Sequence, residues 1–192
     1  MMKFKFIFWV LGTILLFAGC RSEYTRAVQS GLGSGIIEDS LIFGMKMGMT
    51  KKDFYDTCWI LNKQKLISEG PGNLSAKYIE PDSILPDKTL RKSMLFYGIF
   101  DAKDTMRGMT FTYSYTAWAP WIRKCQSDSL MSDLMRFYRK NYPGNDFITI
   151  DIEKGIKAYA KVDGNRQIVV YPMDAKDVGV KFEDLRYKLN KK

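Results

Sequence analysis

Met109-Thr110-Phe111-Thr112-Tyr113-Ser114-Tyr115-Thr116 alternates large apolar and small hydroxyl side chains without a break. A period of two sends alternate side chains to opposite faces, so this segment reads as a β-strand with one buried face and one wet face. Working outward, Leu90 to Phe100 reads as a second strand and Ser75 to Ile79 as a shorter one. Ala119-Pro120 ends the run. Further on, Phe147 to Ile152, Ile156 to Val162, Arg166 to Tyr171 and Val178 to Phe182 read as strands. Lys154-Gly155 and Asp163-Gly164 separate them, and Asp-Gly between alternating apolar residues is a two-residue hairpin signal.

Two helices punctuate the strands. Thr50 is suited to an N-cap, with Asp53 supplying a carboxylate to the free amides of the first turn. Phe54, Cys58 and Leu61 then repeat at helical spacing, with Tyr55 and Trp59 beside them, to about Lys65. Gly70-Pro71-Gly72-Asn73 enforces a turn. A second helix starts near Ser127 or Asp128, carries Leu130, Leu134, Phe137 and Tyr138 as its stripe, and stops at Pro143-Gly144. The order is helix, three strands, helix, three or four strands. It predicts an α+β fold of two helix-plus-antiparallel-sheet units, a tandem duplication in plan, over residues 41–119 and 120–192.

Composition excludes much chemistry. The 192 residues contain no histidine and three cysteines. Imidazole-dependent triads, His-ligated zinc and all-cysteine metal sites are therefore ruled out. No metal or cofactor is expected. Lys and Arg number 30 against 21 Asp and Glu, a formal charge of +9. The bases are scattered except for Arg186, Lys188, Lys191 and Lys192, and no basic-aromatic motif points to nucleic acid.

The first twenty residues differ in kind. Lys3 and Lys5 precede Phe6 to Gly19, an uncharged apolar run of 14 residues. As a helix it spans about 21 Å, short of the roughly 30 Å hydrocarbon core. It reads as a signal peptide over residues 1–19 rather than a membrane span. Phe17-Ala18-Gly19-Cys20 resembles a bacterial lipoprotein lipobox, with Phe17 where Leu is usual. The resemblance implies cleavage before Cys20 and acylation of its sulfur and new amino terminus. Several acyl chains hold a chain at a bilayer stably. Arg21, in place of an inner-membrane retention aspartate, implies delivery to the outer membrane. Residues 20–40 are polar and Gly/Ser-rich and read as a lipidated flexible tether.

Phe43-Gly44-Met45-Lys46-Met47-Gly48-Met49-Thr50 leading into Lys51-Lys52-Asp53-Phe54 resembles the helix entry of small envelope lipoproteins. The small lipoprotein of the outer-membrane barrel-assembly machine and the tandem domains of β-lactamase-inhibitor proteins share this order of elements. The assembly subunit's Gly-x-Pro does not follow the helix, so its partner-binding residues are not carried over. The whole chain resembles lipoproteins of Bacteroides-type bacteria, which implies a fold and a compartment without a chemistry.

Three features remain as candidate sites. Cys58 and Cys125 read either as a disulfide of an oxidising compartment or as two buried small hydrophobes. Tyr113, Tyr115, Trp118 and Trp121, around Pro120 at the junction of the two units, read either as a partner contact or as an internal wedge. The carboxylates Asp101 and Asp104, Asp151 and Glu153, and Glu183-Asp184 are the residues a glycan hydrolase would use, though they fall at turns and strand ends. The reading that follows is a lipid-anchored envelope protein, held to the membrane through Cys20 and binding another envelope protein without catalysis. The alternatives are a carboxylate-dependent glycan hydrolase and an inhibitor of a secreted hydrolase.

Overall fold

The computed structural model describes residues 22–84, 86–152 and 155–189. The signal peptide, Cys20, Arg21, Glu153, Lys191 and Lys192 lie outside the described residues. The described chain forms helices α1 (Glu23–Gly33), α2 (Lys51–Lys63), α3 (Ser127–Asn141) and α4 (Leu185–Leu189). Strands β1 (Ile67–Glu69), β2 (Ala76–Ile79), β3 (Lys92–Phe100) and β4 (Met106–Tyr115) follow α2. Strands β5 (Ile148–Asp151), β6 (Lys157–Asp163), β7 (Arg166–Pro172) and β8 (Val178–Asp184) follow α3.

All eight strands join one antiparallel sheet in the order β1-β2-β3-β4-β8-β7-β6-β5. The fold is α+β and mostly sheet. Its two four-stranded runs meet where β4 pairs with β8, with Phe111 opposite Val180. The sheet is therefore continuous across the junction near Pro120, where separate sheets were expected.

The period-two pattern decides what each face covers. Met94 and Phe96 of β3, Phe111 and Tyr113 of β4, and Val178, Val180 and Phe182 of β8 share the buried face. Helices α2 and α3 pack on it. Thr50 and Asp53 close a reciprocal capping box at the start of α2, whose Phe54 and Leu61 point inward. Helix α3 inserts Leu130, Leu134 and Tyr138. The rings of Tyr138, Tyr142 and Phe182 lie 5.1–5.8 Å apart. Each fully buried large apolar side chain contributes about 1.5–3 kcal/mol. These rings therefore hold the second half of the sheet to its helix.

The opposite face corrects the expected tether. Residues 23–33 form α1, capped by the Ser22 hydroxyl and docked on β6 through Val28, Val162 and Leu185. The Tyr24 hydroxyl donates to Gln167 Oε1 at 2.5 Å. A glycine-rich composition suggests slack because glycine weakens an isolated helix. Here Gly31 serves close approach instead: a Cβ there would stand 2.6 Å from the Gly164 carbonyl oxygen. The chain after α1 is pinned too, since the Glu38 amide donates to Asn165 Oδ1 at 2.7 Å.

The β6–β7 hairpin is the anchor for that segment. Asp163 pairs with Arg166, so the turn residues are Gly164-Asn165, one place beyond the expected Asp163-Gly164. Gly164 takes a φ of +55°, which glycine adopts freely. Beneath the turn, Lys161 and Arg166 are 1% and 2% exposed. Lys161 Nζ stands 2.7 Å from Asp163 Oδ2 and donates to the Asn145 carbonyl. Asp163 Oδ1 accepts from the Asn145 amide at 2.8 Å. Arg166 reaches Glu38 at 3.2 Å and the Ser40 hydroxyl at 3.0 Å, and lies over the Tyr142 ring.

Candidate binding cleft

A cleft of about 520 Å³ opens on the helix-covered face, between the chain at Ser40, Leu41, Ile42 and Phe43 and the second half of α3. The tight turn after Leu41 bends the backbone, with the Met45 amide donating to the Ile42 carbonyl. It swings Phe43 onto Tyr78 and Phe96, at ring distances of 5.4 and 5.6 Å. Met94, Tyr113 and Leu134 form the floor, and Phe43, Phe137 and Tyr142 line the walls.

Polar groups sit around this apolar interior. Glu80 pairs with Lys92 at 3.4 Å and also accepts from the Lys92 amide at 3.0 Å. Asp133 accepts from the Tyr115 hydroxyl at 2.7 Å and from Arg136 at 3.2 Å. Ser40 and Asn141 complete the lining. Burial, then the Glu80 charge, pushes the Tyr78 hydroxyl above its ordinary pKa. Burial likewise raises Tyr113, and raises Tyr142 to about 12 against the opposing Arg166 charge. At neutral pH these hydroxyls keep their protons and act as hydrogen-bond partners. An apolar cavity of this size with a few convergent polar groups has the character of a ligand pocket.

The expected aromatic contact separates into different environments. Tyr113 and Tyr115 are buried rather than exposed beside Trp121. Their alternation places them on the helix-covered face, where Tyr113 shares a 2.8 Å hydrogen bond with the Tyr138 hydroxyl. Tyr113 still forms part of the cleft floor. Trp118 is half-buried, and its indole N–H finds no partner among the described residues. Trp121 is 81% exposed.

Cys58 and Cys125 are free thiols, each at a position that buries it at least in part. Cys58 is half-buried on α2, and burial raises its pKa to about 11. Cys125 is buried before α3, its thiol directed at the Thr89 carbonyl at 3.5 Å.

The carboxylates named from sequence are occupied elsewhere. Asp101 accepts from the Lys103 and Thr105 amides and from Arg107 within its own turn. Asp104 pairs with Lys51, Glu183 with Lys181 and Lys188, and Asp184 with Arg186. Asp151 is exposed on the edge strand β5. None of these lines the cleft. Glu80 and Asp133 do, and sequence gave no signal for them, because their spacing of 53 positions closes only through the fold. Among the described residues, no group of three or more His, Cys, Asp or Glu could hold a metal ion, and no helix is long and apolar enough to cross a membrane. No protein-family model, curated protein or solved structure matches this chain.

Proposed function

We propose that this chain is a lipid-anchored protein of the outer membrane that binds another envelope protein through the cleft between Phe43 and Phe137, without turnover. The observation that carries the reading is the cleft itself: an open apolar floor ringed by charges already partnered within the protein. Such a lining receives apolar side chains of a partner while its rim fixes orientation. The anchor is supported by the charged, apolar and small-residue order that ends at Cys20. A tandem origin is supported by the repeat of one helix followed by four strands, with the final strand of each run meeting at the centre.

The test uses a chain lacking residues 1–20 as bait for solubilised envelope proteins. A partner retained by the wild type and by Trp59→Glu, but lost with Phe137→Glu, supports the cleft. Equal loss from both variants refutes it. Mass spectrometry of the native product tests the anchor: an intact first methionine or an unmodified Cys20 sulfur overturns it.

A second reading rests on one observation, that Glu80 and Asp133 line the same cleft. Two carboxylates flanking a groove are what glycoside hydrolysis requires. It predicts release of reducing sugar from envelope glycan by the wild type and none by Glu80→Gln or Asp133→Asn. Absence of turnover in the wild type removes it.

A further inference from the structure

We infer that the end of the sheet carrying the β7–β8 turn and the β4–α3 link is a membrane-seating surface, which inserts Trp121 and Met173 into the bilayer interface. The inference rests on the lipid-anchor reading and goes beyond it by assigning which end of the fold meets the lipid.

The orientation comes from α1. Its C-terminal Gly31 lies against Gly164 at the tip of the β6–β7 hairpin. Its first turn therefore points away from that tip. Tyr24 in that turn packs on the buried patch of Ala158, Ala160 and Val169, as does Tyr171 beside the β7–β8 turn. Cys20 precedes Ser22 by two positions, and an extended chain gains at most about 3.6 Å per residue. The sulfur that would carry the acyl chains thus emerges within about 7 Å of a docked helix. A twenty-residue flexible reach would have allowed any orientation; this short link does not.

The same end bears exposed apolar tips. Trp121 and Met173 are 81% and 54% exposed. The Ser127 amide donates to the Ala175 carbonyl at 2.9 Å, joining the β7–β8 turn to the link that carries Trp121. A tryptophan with aliphatic neighbours suits the headgroup boundary, where an apolar ring and a polar N–H are both satisfied.

Charges at this end are paired within the protein: Arg91 with Asp82, Lys124 with Asp87, and Lys176 with Asp177.

The test uses the native acylated protein, its lipid mass verified, reconstituted into vesicles of phosphatidylethanolamine with acyl-brominated lipid. Bromine quenches tryptophan on contact. The wild type is expected to be quenched, Trp121→Phe to lose most of that quenching, and Trp59→Phe to retain it. Quenching that survives Trp121→Phe, or its absence in a verified acylated chain, overturns the seating and leaves the anchor standing. A chain without acyl mass overturns both.

Discussion

Replacing Asp163 with alanine removes the one carboxylate between two buried cations. Lys161 Nζ lies 2.7 Å from it and Arg166 3.8 Å, both nearly inaccessible to water. Breaking a buried pair from one side leaves an uncompensated charge and costs about 3–5 kcal/mol. Here the survivors keep some partners: Lys161 still donates to the Asn145 carbonyl, and Arg166 still meets Glu38, Ser40 and the Tyr142 ring. That argues for the lower part of the range, about 3 kcal/mol. A domain is stable by about 5–15 kcal/mol, so the loss is a large fraction of the total. Urea unfolding followed by tryptophan fluorescence measures it as a lower midpoint at unchanged slope. Asp56→Ala, which breaks the exposed Lys52–Asp56 pair, is the control and should leave the midpoint almost unchanged. A loss at Asp163 no larger than the control would refute the reasoning and leave the buried ions without a structural part.

Three further outcomes are expected. Thr50→Ala removes the cap of α2 and should lower stability by about 1 kcal/mol, measured by the same unfolding curves. Hydrogen bonds from Lys124 and then Thr89 hold the Asp87 carboxyl down at about 2. Its stabilising contribution is present above the ordinary carboxylate range near 4 and is lost as pH falls toward 2. The melting temperatures of the wild type and Asp87→Asn should therefore converge between pH 4 and pH 2, and a constant gap would contradict the assignment. Burial holds both thiols protonated, so Cys58 and Cys125 should resist alkylation at pH 8 until urea unfolds the chain; rapid labelling of the native protein by iodoacetamide would show otherwise.

The strands were legible because their pattern is local. Met109 to Thr116 alternates so strictly that its pleat could be read residue by residue, and β4 covers it but for its last residue, Thr116. The cap at Thr50 was legible for the same reason. Helix α1 was not, because Ser30, Gly31 and Gly33 carry the composition of a linker and their value lies in a contact with Gly164, distant in sequence. Strand β1 was missed as well, since three residues leave no period to detect. The cleft was the least legible feature. Its lining comes from the chain near Ser40, from β2, β3 and β4, and from α3, and no window of sequence holds two of these together. The aromatic cluster was misplaced by treating Tyr113 and Tyr115 with Trp121 as one surface, although the alternation already assigned the tyrosines to the inner side.

The sheet begins and ends on short strands, β1 with three residues and β5 with four. A stranger's backbone arriving at either margin would find only a few amides to join, and at β5 the outward carboxylate of Asp151 beside them. Such blunt margins keep one copy from zipping onto the next. The long central strands can then be as sticky as folding demands without drawing copies of the chain into a fibre.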